Sequence, residues 1–291
     1  MKKLLFGLLT VVITAGLLSW HWEKTQYSSV NKADVVACLN METQQAYKLE
    51  ASTPAFAAMH PAPLVVNPEN LLGKMTSFEA ADGKLASAYF IPAKKKTKKW
   101  LIVIQEWWGL NDNIKLESDK YYNALGDVNV MAVDMYDGKI AATPDSAMKL
   151  MRGADMGRMT AIIQGAIKHA GTDASIYSVG WCFGGMWSLQ TAILAGPQAK
   201  GTVMYYGRPE TNMDKLKGIK CDIIGFFGNQ DQAPSPAMVN QFEKDMKEAG
   251  KNLSVNRYEA NHGFANPSNP SFNPTATADA YAKAIAFLKA H

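Results

Sequence analysis

The sequence predicts an α/β domain with a mainly parallel central sheet and helices on both faces. Three observations carry that prediction. Short β-rich runs alternate with longer segments of helical period from position 76 to the C-terminus. Several of those runs are continuously apolar, as strands covered on both faces are. The 291-residue chain is 47% apolar and 19% charged, which supplies a large core and excludes a disordered chain.

Taken in order, Lys2 and Lys3 precede an uncharged run from Leu4 to Trp20. As a helix that run reaches roughly 25 Å, short of a hydrocarbon core of about 30 Å. Residues 1–20 therefore read first as an export signal, with an uncleaved anchor as the alternative, and residues 4–20 would then attach the chain to a membrane. Either way the rest of the chain is expected outside the cytoplasm, periplasmic or membrane-anchored. Val35-Val36-Ala37-Cys38 looks like a lipidation box, but Glu23, Lys24, Lys32 and Asp34 separate it from the apolar run. Residues 21–75 carry Pro54, Pro61, Pro63 and Pro68 and read as a linker plus a surface-packed segment. Residues 51–68 form either a cap edge near the site or plain surface packing.

From there one domain, 76–291, suffices. Its expected strands are Ala86–Ile91, Leu101–Gln105, Val128–Asp134, Ser175–Gly180, Gly201–Tyr206, Asp222–Phe227 and Leu253–Tyr258. The expected helices are Asn113–Leu125, Asp145–Ala170, Met186–Ala195, Pro236–Ala249 and Thr275–Lys289; Thr143-Pro144 opens the second of these and Gly171 closes it.

The formal net charge is +4, but five lysines cluster in residues 94–99 and without them the balance is slightly negative. A lysine-rich turn is no nucleic-acid surface, and no nucleic-acid partner is expected. Three scattered cysteines make no disulfide framework. With no CxxC pair and no histidines at ligand spacing, no structural zinc site, other metal site or cofactor is expected.

The most informative segment runs from Ile176 to Met186: a β-rich run, then Gly180-Trp181-Cys182-Phe183-Gly184-Gly185, then a helix. This is a nucleophile elbow with cysteine where serine usually stands. The glycines relieve crowding in a sharp strand-to-helix turn. The helix N-terminus favours thiolate over thiol, and the Phe183 N–H points toward a developing oxyanion. An elbow thiol needs a base, and the base needs an orienting group. Asp231 and His262 follow Cys182 in the order nucleophile, acid, histidine, each just past an expected strand, and sheet topology gathers strand C-termini. His21 and His60 precede the domain, His169 ends a helix and His291 is terminal, which makes them poor substitutes.

Three blocks resemble the dienelactone hydrolase family of the α/β-hydrolase superfamily: Gly180 to Gly185, the pair Asp231 and His262-Gly263-Phe264, and Gln105-Glu106-Trp107-Trp108-Gly109-Leu110-Asn111. The resemblance implies an α/β-hydrolase fold and hydrolysis of a small ester or lactone through a thioester on Cys182. His262 would act as base and then acid, and Asp231 would hold its tautomer. Glu106 would pair with the resting thiol, and the Phe183 and Trp107 N–H groups would form the oxyanion hole. Trp108, Tyr136, Met151 and Phe264 are the expected pocket residues, although helix core packing also accounts for the methionines.

The family's carboxylate-holding arginines are missing from their matched positions. Arg152, Arg158 and Arg208 have no assigned place, so dienelactone itself is a doubtful substrate. The expected partner is a small-molecule ester or lactone, and the chain is expected to act as a monomer. The alternatives are an exported binding protein on the same scaffold, or acyl transfer or thioester cleavage at the same elbow.

Overall fold

The computed structural model describes residues 42–291. The expectations for residues 1–20, His21 and Cys38 lie outside the described residues. Eight strands form one sheet: β1 (Lys74–Glu79), β2 (Leu85–Ile91), β3 (Lys99–Ile104), β4 (Asn129–Val133), β5 (Ser175–Trp181), β6 (Ala199–Tyr205), β7 (Asp222–Gly228) and β8 (Leu253–Tyr258). Their order is β1-β2-β4-β3-β5-β6-β7-β8. The β1–β2 and β2–β4 pairs are antiparallel and the other five are parallel. This is the α/β-hydrolase architecture.

The parallel strands are the continuously apolar ones, such as Leu101–Ile104 and Val130–Val133, all buried. Helix α3 (Asp112–Leu125) and the C-terminal helix α9 (Pro274–Ala290) pack together on one face. On the other lie α5 (Met156–Ala170), α6 (Phe183–Ala195), α7 (Met213–Gly218) and α8 (Pro236–Glu248). The arrangement follows from right-handed crossovers. The chain leaves β3 in one direction to make β4 and returns past β3 to make β5 through β8. The strand order thus reverses beside β3, where crevices open at strand C-termini.

Three departures from the sequence reading have physical causes. Strand β1 buries only Phe78 among its six residues, so it carries no continuous apolar run. The helix expected over 145–170 is two, α4 (Pro144–Arg152) and α5, because Gly153 caps the first and Asp155 accepts the Gly157 and Arg158 N–H groups to start the second. Ahead of the sheet stand two short helices, α1 (Thr43–Ala51) and α2 (Pro54–Ala58). Pro54, read as a breaker, is instead the first helical residue after the Thr53 cap, a position where its missing N–H costs nothing. Tyr47, Ala51 and Phe56 join the main core cluster. Among the described residues, no helix is long and apolar enough to cross a membrane.

Candidate active site

Cys182 stands between β5 and α6 at φ 56°, ψ −117°, a backbone state that costs a side-chain-bearing residue about 1–3 kcal/mol. The surrounding packing enforces it. A Cβ on Gly180 would lie 2.1 Å from the Gly184 carbonyl oxygen, and one on Gly184 would lie 2.2 Å from the Ile104 carbonyl oxygen. Only bare backbone fits where the elbow crosses β3. The sulfur sits at the N-terminus of a 13-residue helix, beside unpaired first-turn N–H groups.

Asp231 follows β7 and His262 follows β8. His262 Nδ1 donates to Asp231 Oδ2 at 2.8 Å, and Asp231 Oδ1 accepts the Ala233 N–H at 2.8 Å, so the carboxylate is fixed by two partners. Burial pulls the imidazole toward its neutral form. The Asp231 carboxylate and the Cys182 sulfur outweigh that and hold it well above its ordinary value. The Asp231 and His262 side chains expected from chain order thus pair with each other, and a His262 ring nitrogen lies within 4.8 Å of the Cys182 sulfur.

His60 does too, against expectation. It follows α2 and is only 4% exposed. Its Nδ1 donates to the Phe56 carbonyl at 2.7 Å, and its Nε2 faces Cys182 Sγ at 3.9 Å. The ring stacks on Phe56 with centroids 3.9 Å apart and meets the His262 ring edge-on at 4.7 Å. Burial, reinforced by His262, pushes its pKa down to about 3. From α1, the Tyr47 hydroxyl reaches the sulfur at 3.4 Å. Burial and the adjacent sulfur raise its pKa well above the usual phenol value, so the hydroxyl keeps its proton. Position ahead of the domain does not keep a residue out of the site, because the chain doubles back over the strand ends.

Glu106 is buried just past β3, but its partners differ from those the resemblance implies. Tyr206 donates to one carboxylate oxygen at 3.4 Å and Asn266 Nδ2 to the other at 2.5 Å. The Asn266 carbonyl in turn accepts from Ser268, which fixes its amide. Burial pushes the Glu106 carboxyl up to about 7, against the opposing pull of His262, Asn266 and Tyr206. The sulfur's hydrogen-bond neighbours are Tyr47 and His60.

Trp107 is fully buried among Phe56, His60 and Trp108. Tyr136 packs on Phe183 and donates to the Met151 sulfur at 3.8 Å, which makes Met151 a core residue. Phe264 is fully buried against Tyr206 and Tyr258, behind the site. A cleft of about 200 Å³ opens instead beside His60 and His262, walled by Met59, Gln232, Asn261 and Ser271. None of the expected pocket residues Trp108, Tyr136, Met151 and Phe264 lines this cleft. The three arginines serve the scaffold. Arg152 binds the Ser52 carbonyl, Arg158 pairs with Asp82 and Asp137, and Arg208 pairs with Glu50.

The family model for the dienelactone hydrolase family matches residues 85–291. Protein usf of Aquifex pyrophilus is 28% identical over 233 residues, which covers 75% of this chain and 98% of that protein. The carboxymethylenebutenolidase of Pseudomonas sp. strain P51 is 30% identical over 118 residues, 40% of this chain and 48% of that one. Among solved structures, the dienelactone hydrolase-like promiscuous phosphotriesterase P91 from metagenomic libraries superposes with a TM-score of 0.62 at 19% identity, covering 74% of this chain and 97% of that one. The match spans the elbow, Glu106, Asp231 and His262, and stops short of Tyr47 and His60. The chain belongs to the dienelactone hydrolase family, enzymes that hydrolyse esters and lactones on the α/β-hydrolase fold.

Proposed function

We propose that this protein cleaves small carboxylic esters or lactones through a thioester on Cys182, with His262 carrying the proton and Asp231 orienting it. The single observation that carries the reading is the chain of contacts from the Asp231 carboxylate through His262 Nδ1, at 2.8 Å, to a ring whose donor atom lies within 4.8 Å of the elbow sulfur. In that geometry the carboxylate stabilises the charged ring, and the helix N-terminus and the Tyr47 hydroxyl face the sulfur, whose proton passes to His262 as it attacks.

The thiolate attacks the ester carbonyl and the negative charge moves to its oxygen, to which the Phe183 and Trp107 N–H groups donate. Collapse expels the alkoxide, which takes the His262 proton. Water, deprotonated by the now neutral imidazole, then attacks the thioester; the acid leaves and the thiol is restored. Glu106, held by Tyr206 and Asn266, acts on this pair through its charge, as a positioning residue. Substrate enters by the cleft between His60 and His262. The carboxylate-binding arginines are absent from this cleft, which favours uncharged esters or lactones over dienelactone. We further propose, from the run Leu4–Trp20, that the enzyme works outside the cytoplasm, which fractionation of the expressed chain tests.

The experiment is a panel of p-nitrophenyl esters and lactones against wild type and Cys182→Ala. Turnover by wild type, abolished in a variant that keeps its circular dichroism spectrum, is the expected result. Equal turnover by both proteins would sink the proposal.

A further inference from the structure

The family match begins at residue 85, yet the site contains an imidazole from residue 60. His60 has no part in the mechanism above, and what it adds is a third donor. One donor atom each from His60, Cys182 and His262 lies within 4.8 Å of the other two. A thiolate and two imidazoles are the ligand types that borderline-soft divalent cations select.

Both rings are also held as metal ligands usually are. His60 Nδ1–H donates to a backbone carbonyl and His262 Nδ1–H to a carboxylate. Those outer bonds leave Nε2 as the ligating atom of each ring and fix its direction. His60 Nε2 points at the sulfur, and His262 Nε2 is buried with no hydrogen-bond partner. A cation bound at about 2.3 Å from sulfur and 2.0–2.1 Å from nitrogen in a tetrahedral array spaces its donors roughly 3.3–3.6 Å apart. The observed 3.9 Å between Cys182 Sγ and His60 Nε2 is close to that, and the remaining pairs, within 4.8 Å, need a contraction of at most about 1.5 Å. The cleft walled by Met59, Asn261 and Ser271 adjoins both rings.

We propose that Cys182, His60 and His262 form a binding site for a divalent cation of the zinc class, and that bound cation switches the enzyme off by tying nucleophile and base together. Binding forms one metal–sulfur and two metal–nitrogen bonds, and releases to solvent the single proton that the sulfur and His262 share. The binding half stands on the donor geometry alone; the inhibition half rests on the thiol-hydrolase reading.

The test uses the full chain stripped with a chelator and loaded with Co²⁺ as a spectroscopic stand-in, then with Zn²⁺. The expected results are a sulfur-to-cobalt charge-transfer band at one cobalt per chain, its loss on adding Zn²⁺, and its absence in Cys182→Ala. His60→Gln should weaken Zn²⁺ affinity by at least ~tenfold. X-ray absorption of zinc-loaded wild type, which needs no variant, should show one sulfur and two imidazole neighbours. No band, a band that survives in Cys182→Ala, or a zinc shell with fewer than two imidazoles would overturn the site. In ester assays Zn²⁺ should inhibit and a chelator should restore turnover. A protein that shows the band but never turns over an ester sinks the hydrolase reading and keeps the site. An active protein with no band does the reverse.

Discussion

Glu106→Gln isolates a buried carboxyl of the site. Burial pushes the Glu106 carboxyl from an ordinary 4.5 up to about 7. A raised folded-state value means that the native protein binds this proton more tightly than the unfolded chain does. The stability tied to that proton is complete below pH 4.5 and is lost as pH rises through 7. At about 1.4 kcal/mol per tenfold change in proton affinity, the loss is roughly 3 kcal/mol, a large part of a domain stability of about 5–15 kcal/mol. Glutamine has the same shape, keeps an oxygen for Asn266 and never ionises. His262, also raised, loses stability with rising pH in both proteins, and the difference between them reports Glu106 together with its attraction to His262. Urea unfolding at pH 5, 6, 7 and 8 should show the variant overtaking wild type, with an advantage of up to ~3 kcal/mol at pH 8 that shrinks toward pH 5. Parallel curves across that range would refute the reasoning. Such a result would mean that Asn266 and Tyr206 fully offset the desolvation.

Two further predictions concern the reacting groups. Asp231→Asn removes the charge 2.8 Å from His262 Nδ1 and should lower kcat/KM by about 10²–10⁴-fold; a loss under threefold in ester assays would remove Asp231 from the machinery. Tyr47→Phe removes the hydroxyl 3.4 Å from the sulfur and should lower kcat/KM by about tenfold in ester assays; an unchanged kcat/KM would leave Tyr47 a packing residue.

What was legible in the sequence was local chemistry repeated at every step of the fold. The elbow could be read because each constraint lies within a few residues of Cys182, where Gly180 and Gly184 avoid collisions with neighbouring backbone. Asp231 and His262 could be read because each follows a strand, and parallel strands deliver their ends to one edge. Tyr47 and His60 could not. Their segment has no strand, its prolines look like breakers, and its burial comes from packing across the sheet edge, more than a hundred residues along the chain from Cys182. Thr53-Pro54 was the available signal, since a capping residue before proline starts a helix as readily as it ends one. Asn266 likewise hid in a loop, and its role becomes visible only once Glu106 is known to be buried. The expected pocket residues are aromatic or flexible, the same property that draws Phe264 and Met151 into the core. Polar loop residues, together with Met59 and Ala233, wall the cleft instead.

The most direct measurement is the mass of the enzyme quenched during turnover of a slow ester. The account predicts one acyl group per chain, released by hydroxylamine and mapped to the peptide containing Cys182. Steady turnover with no acylated enzyme, or an acyl group mapped elsewhere, would contradict it.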